Sequence, residues 1–319
     1  MSNIAFIPYN FPFNSTPTPL GAFVFGGGIN GSGSYVTSTT KYDYNADTWS
    51  NGAALINQRQ RPSAVGNRVF GIITYGQLIG GGGSVSSRNT EKCYYAVDTI
   101  EQGTTLGAGG GVTNVFGGAC GNATEGVWGC GNNNPFSDHY YYADDTTVLN
   151  RTNRHNPHVN RTSPGVAGIA DMALWMAGQT NEGSGVNGRT SEKYYYSGDY
   201  WIANTVILAT SASVGQPTCF GNNTLHITAA AGTAKRYVKY EYATDAYVAQ
   251  STMSNYHANS GMGASTETVG VIYGGNTVAG LYSTINDRYS FTSDTWVTAA
   301  AGLVGASNGF GLSDAPAHL

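Results

Sequence analysis

Six histidines (His139, His155, His158, His226, His257 and His318) and four cysteines (Cys93, Cys120, Cys130 and Cys219) are the side chains best suited to hold a metal or to carry a nucleophilic step. Only His155 and His158 lie close together, within Arg151-Thr-Asn-Arg-His-Asn-Pro-His158, the one local cluster of basic and imidazole groups. A three-residue spacing in a loop interrupted by Pro157 does not force two imidazoles onto one ion, so a solvated loop is expected there. The cysteines show neither CxxC spacing nor a dense disulfide framework. Cys120 and Cys130 could face each other across one hairpin, but buried free thiols are expected. No nucleophile elbow, phosphate-binding loop or paired-carboxylate motif is present. The Asn-x-Thr sequons at Asn14, Asn122, Asn150, Asn160 and Asn222 read as loop composition. The expectation is a protein that binds rather than reacts, with no cofactor and no bound metal.

The composition says what must position such a binding surface. Gly (45) and Tyr (22) are over-used in 319 residues while charged residues make up 11%, which points to many short strands, many turns and aromatic rather than ionic packing. The longest apolar stretch, Ile169 to Ala177, carries Asp171 and is too short to span a bilayer, so no membrane insertion is expected. Met1 to Phe13 lacks a basic leader and is broken by Pro8 and Pro12, so it does not read as a signal peptide. A net charge of −4 with no Lys/Arg run argues against a nucleic-acid partner.

One nine-residue string recurs six times. The copies begin at Lys41, Lys92, His139, Lys193, Lys239 and Arg288, as in Lys41-Tyr-Asp-Tyr-Asn-Ala-Asp-Thr-Trp49, with steps of 51, 47, 54, 46 and 49 residues. All copies keep a basic or imidazole residue first, an aromatic fourth (Tyr44, Tyr95, Tyr142, Tyr196, Tyr242, Phe291) and an aspartate seventh (Asp47, Asp98, Asp145, Asp199, Asp245, Asp294). The second and fourth positions are expected to share one face of a strand, and the aspartate to end it by bonding backbone N–H groups just ahead. Upstream of each string lies an apolar strand ending in small residues, such as Phe23 to Gly28, Leu78 to Gly83 and Val271 to Gly275. Earlier still comes a glycine-containing strand and turn, as at Ala64 to Asn67, Ala119 to Asn122 and Cys219 to Asn222, making four strands per unit.

This order of glycine-containing strand, apolar strand ending in Gly-Gly, tyrosine strand, Asp turn and Trp strand resembles the kelch family over roughly residues 20 to 315. The resemblance implies an all-β, six-bladed β-propeller of degenerate kelch-like repeats. The chain starts on the second strand of a blade (Gly21 to Gly28) and ends with an orphan first strand (Val304 to Leu312). Their pairing is expected to close the ring. The division is therefore an N-terminal extended arm, residues 1–20, and a propeller, residues 21–315. Among catalytic propellers, sialidases carry an Asp-box of which Ser290-Phe-Thr-Ser-Asp-Thr-Trp296 keeps only the ends. Galactose-oxidase-like enzymes hold copper through Tyr and His, which here are scattered or placed on strands, so this copper oxidase reading ranks last.

The loops after each apolar strand, Ile29 to Tyr35, Ser84 to Arg88, Asn132 to Phe136 and Thr180 to Arg189, are rich in Asn, Ser and Gly, a chemistry suited to sugars or polar protein surfaces. The candidate binding residues are Asn30, Tyr35, Arg88, Asn132, Asn133, Phe136, Asn181 and Asn187. The arm is apolar early (Ile4, Phe6, Ile7, Tyr9, Phe11, Phe13) and either lies on the propeller's own surface or docks on a neighbouring subunit. The Gly/Ser/Thr/Asn/Tyr bias resembles that of bacteriophage tail-fibre and appendage proteins. The resemblance implies a virion structural protein of tail, fibre or capsid surface, assembled in the host cytoplasm. It would act by binding other virion subunits through residues 1–20 and a host-surface glycan through the loops. A carbohydrate-binding, lectin-like propeller is the alternative.

Overall fold

Each string folds as the end of one strand, a four-residue turn and the start of the next. In the first copy Thr39–Asp43 runs into a turn over 44–47 and returns as Thr48–Asn51. The turn is set by the seventh-position aspartate, which in all six copies has a left-handed φ between 49° and 55°. Aspartate is one of the few non-glycine residues that enter this region readily, because its short side chain finds local hydrogen bonds there.

The computed structural model describes residues 22–30, 34–80, 83–86, 89–104, 117–131, 134–151, 161–180, 190–204, 217–229, 235–257, 261–276, 283–303, 306–307 and 309–313. They form six four-stranded antiparallel sheets, the blades of a β-propeller, numbered here by the order of the strings. The inner strands of blades 1 to 6 are Phe310–Ser313, Ser63–Gly66, Gly118–Gly121, Gly165–Gly168, Thr218–Gly221 and Met262–Ser265. They touch one another in that cyclic order, so the ring is closed. Closure uses the predicted ends: Phe310–Ser313 pairs with Ala22–Gly26 in blade 1, Phe23 opposite Ser313. The closing strand begins later than expected, because Ala306–Ser307 instead pairs with Ile29–Asn30. The chain then passes Gly309, where a Cβ would meet the Gly26 carbonyl at 2.4 Å.

The second strands of blades 2 to 6 are Phe70–Thr74, Glu125–Gly131, Met172–Met176, Leu225–Ala229 and Val269–Tyr273. In blade 2 this is not the stretch read from the sequence. Leu78 to Gly83 belongs instead to a small accessory hairpin, Gln77–Gly80 with Gly83–Ser86. The error came from the glycine run. What ends the second strand is two consecutive left-handed residues, Gly27-Gly28, Tyr75-Gly76, Ala177-Gly178 and Gly274-Gly275. The first of each pair, at φ 54° to 69°, tolerates Tyr75 and Ala177, whereas the second, at 82° to 87°, is glycine in all four.

The repeated aromatics fill the gaps between blades. Second and ninth positions pair across strands, Tyr42 with Trp49, Tyr194 with Trp201 and Tyr289 with Trp296, with ring centroids 4.8 to 5.3 Å apart. The fourth-position aromatic is the first residue of the turn rather than part of the strand, but it packs against the second-position ring as expected, 5.6 Å away for Tyr140 and Tyr142. Its hydroxyl lies over the glycines that end the inner strand: a Cβ on Gly66 would meet the Tyr95 hydroxyl at 2.4 Å, and one on Gly121 the Tyr142 hydroxyl at 2.6 Å.

The aspartate carboxylates hold the blades together. Five of the six accept the second-position phenol of their own string, Tyr42 to Asp47 (2.6 Å), Tyr194 to Asp199 (2.9 Å) and Tyr240 to Asp245 (2.5 Å) among them. Blade 2 has Cys93 at that position. Four of the aspartates also receive the first-position lysine of the preceding blade: Lys41 to Asp98 (2.8 Å), Lys92 to Asp145 (2.5 Å), Lys193 to Asp245 (2.5 Å) and Lys239 to Asp294. Backbone N–H groups do reach these carboxylates, but from the preceding blade: Ala53 to Asp98 and Ala300 to Asp47, both 3.2 Å. Burial works to raise the Asp145 and Asp294 carboxyls. The lysine and tyrosine hydrogen bonds together with the lysine charges outweigh it and hold both below the ordinary carboxylate range.

The inner seam is fitted by size. The third residue of each inner strand faces the second residue of the next blade's second strand, and the two vary inversely. Cβ atoms on Gly71, Gly126 and Gly270 would lie 2.3, 2.4 and 2.1 Å from Leu312, Val65 and Phe220. The small Ala167 and Ala264 stand opposite His226 and Phe23. Cys120 packs in one cluster with Ala173. Cys120 is a free thiol, and the blade 3 register sets Cys120 against Val127, so no hairpin bridge to Cys130 forms.

Two outcomes test this fit. Gly126→Ala is expected to destabilise by about 1–3 kcal/mol through overpacking, and Val65→Ala in the same chain to recover part of that loss; additive losses in denaturant unfolding would contradict the seam. His226 is fully buried, and burial pushes its imidazole down to about 3. Its contribution is therefore present above the free value of about 6.5 and is lost as pH falls toward the folded value, at about 1.4 kcal/mol per pH unit. His226→Phe, which copies the Phe23–Ala264 pair, is expected to flatten the fall in melting temperature between pH 6.5 and 4.5.

Candidate functional site

Because each inner strand runs away from one face and each second strand runs back to it, the two faces of the ring differ. The Asp turns and the short inner hairpins gather on one, the turn face. The connections into the inner strands and the loops after the second strands gather on the other, the loop face. The inner hairpins are tightly bound. Asn122 Oδ1 accepts the Thr124 and Glu125 N–H groups and the Thr124 hydroxyl, while its Nδ2 donates to the Ala170 carbonyl of the next blade. Asn222 repeats this toward Glu267. These two sequon asparagines are thus structural, with their amide nitrogens already engaged.

The loop face opens onto an axial cavity of about 180 Å³. Its mouth is lined by the residues just before the six inner strands, Pro62, Gly117, Pro164, Pro217, Gly261 and Gly309. A lower chamber of about 100 Å³ is lined by the last residues of the inner strands, Gly66, Gly121, Gly168, Gly221, Ser265 and Ser313. Among the described lining residues Arg61 alone is charged. It has a left-handed φ of 54° and is half-buried. Burial lowers its guanidinium from the ordinary value, and the nearby Tyr35 phenol opposes that. The Thr218 hydroxyl is buried at the same cavity without a hydrogen-bond partner among the described residues. The Cys219 thiol faces both chambers, but burial pushes it up to about 12, so it stays protonated at neutral pH. The described lining offers shape, backbone, hydroxyl groups and one cation.

In three blades the rim is braced by accessory sheets that tie the loop to the connection beside it. Arg59–Gln60 pairs with Gln77–Gly80 in blade 2, Arg161–Thr162 with Gln179–Thr180 in blade 4, and Ile29–Asn30 with Ala306–Ser307 in blade 1. In blade 2 a fully buried ion pair anchors the brace. Arg59 Nη2 and Nε donate to Glu91 Oε1 at 2.6 and 3.2 Å, and Nη1 donates to the Tyr75 and Asn89 carbonyls at 3.0 Å. Glu91 also accepts the Ile56 and Asn57 N–H groups at 2.8 and 3.3 Å. Blade 6 uses Asp287, which accepts the Asn255 N–H and amide at 2.7 and 2.6 Å beside His257 at 3.5 Å. These acids sit immediately before the string, as do Asp138 and Glu192, and all four are buried. Reading the string one residue earlier would have exposed them in four of six copies.

Of the sequence candidates, Asn30 lies on a rim strand opposite Ala306, and Tyr35 lies half-buried beside Arg61 at the mouth. Phe136 is not in a loop: it belongs to Asn134–Tyr141, the third strand of blade 3, because pairing in that blade continues out to Gly131 and Asn134. Likewise Ser84 is on the accessory hairpin and Thr180 on a rim strand. Arg88, Asn132, Asn133, Asn181 and Asn187 lie outside the described residues, as do the His155–His158 cluster and residues 1–21. The structure brings together Tyr35 with Arg61, a residue the composition of the loops did not single out.

No protein-family model matches the chain, and no curated protein does. Among solved structures, one titled "Structure of YjhT" is similar, with a TM-score of 0.68 at 12% identity, covering 90% of this chain and 99% of that one. At that identity the likeness concerns the fold: both are propellers.

Removing one member of the buried pair leaves the other uncompensated. Glu91→Gln is expected to cost about 3–5 kcal/mol, whereas the double change Arg59→Met with Glu91→Leu costs clearly less. Equal losses in calorimetry would show that the brace acts through packing alone.

Proposed function

We propose that this chain is a structural component of a bacteriophage particle, built on a degenerate kelch-like propeller, that works by binding through its loop face. The observation that carries this reading is the polarity of the ring. Ala22, the first described residue, pairs with Asp43 beside an Asp turn, and Ser313 pairs with Phe23, so both ends of the described chain lie on the turn face. The described chain therefore begins on the side opposite the axial mouth and the braced loops. One face is suited to attachment to other virion subunits, the other to presentation outward. Rim loops whose sequence is rich in Asn, Ser and Gly suit hydrogen bonding to a host-surface glycan. The reading as a free lectin with equivalent sites on several blades has less support, because the repeated second-position tyrosines that would serve as sugar platforms are buried.

Deleting residues 1–20 is expected to leave a folded ring that is no longer incorporated into particles but retains saturable binding to bacterial surface polysaccharide. A shortened protein that assembles normally would overturn the attachment role. A full chain that binds no glycan on a panel would confine the function to scaffolding.

A further inference from the structure

The ring of seam clamps has one odd member. Five strings begin with a permanent cation, Lys41, Lys92, Lys193, Lys239 and Arg288, and the third begins with His139. His139 stands where the lysines stand, with its side chain fully buried between blades 3 and 4. Its Nδ1 lies 3.0 Å from Glu125 Oε2, on the second strand of its own blade. Its Nε2 lies 3.8 Å from Oδ1 of Asp199, the turn aspartate of blade 4. Tyr194 of blade 4 meets the ring edge-on at 5.5 Å, and Tyr141 stacks at 6.5 Å. All four of these groups are titratable and face the imidazole. Beyond them, Glu125 also acts on the Tyr142 and Tyr196 phenols, and Asp145 at the end of the same strand is held by Lys92 of blade 2. Burial raises the Tyr142 and Tyr196 phenols well above their ordinary value.

We propose that the seam between blades 3 and 4 is a proton-operated latch. A neutral imidazole has one N–H. When Nδ1 donates it to Glu125, Nε2 turns a lone pair toward the Asp199 carboxylate, acceptor against acceptor. Protonation puts a second N–H on Nε2 facing Asp199 and a positive charge between two carboxylates, whereas at four other seams a lysine holds the turn aspartate permanently. Histidine changes charge between about pH 5 and 8, so this seam tightens in acid and slackens as pH rises. The sign is opposite to that of His226, whose burial favours the neutral form.

The test uses the full chain and its His139→Lys and His139→Gln variants, with unfolding midpoints measured at pH 5.5 and 8.0. The wild-type midpoint is expected to fall by about 2 °C or more relative to His139→Lys between the two pH values, since His226 and the other histidines are common to both and cancel. Midpoints that move in parallel overturn the latch. If His139→Lys does not fold, the imidazole resonance present in the wild type and missing from His139→Gln is followed by NMR instead. A change of charge state between pH 5.5 and 8.0 is expected, and one unchanging state overturns the proposal.

Discussion

Each turn aspartate sits where two blades meet and satisfies both of them. Its left-handed backbone makes the turn of its own blade, while its carboxylate takes the phenol of its own string in five blades and a lysine of the blade before in four. A propeller depends on such a contact. Sheets that pack only by apolar faces could slide along one another, whereas a charge-assisted hydrogen bond at a fixed position sets the angular register. With 11% charged residues in the chain, a large share of its few lysines is committed to this one task.

Given that register, the remaining packing is a problem of volume. The aromatics at the second and ninth positions fill the wide outer part of each gap, where blades splay apart. Nearer the axis there is no room, and the sequence alternates large against small across each seam, Phe220 against Gly270 and Phe23 against Ala264. The axial cavity is the space that remains once inner strands with small second residues, from Ala64 to Gly311, have met. Its rim is braced where loops of blades 1, 2 and 4 are tied to the connections beside them.

Two kinds of signal are legible in the sequence. The six-fold string, its spacing and the placement of both chain ends are enough for the blade count, the strand order and the mode of closure, since each depends on local periodicity. The fourth-position aromatic and the terminal inner-strand glycines are also visible there, though the reason, a phenol lying where a Cβ would be, is not. The glycine run at Gly80 to Gly83 misleads, because glycine marks any tight turn, and the strand-ending pair in blade 2 carries Tyr75 in place of its first glycine.

The sequence by itself determined what repeats: the turn, the strand alternation and therefore the number of blades, all of which follow from residues near one another in the chain. Only the tertiary structure decided which repeats touch. The pairing of Lys41 with Asp98, of Arg59 with Glu91 and of Tyr35 with Arg61 joins residues whose neighbourhood exists only after the ring has closed. Those contacts are long-range, and a single string carries no information about the blade that will stand beside it.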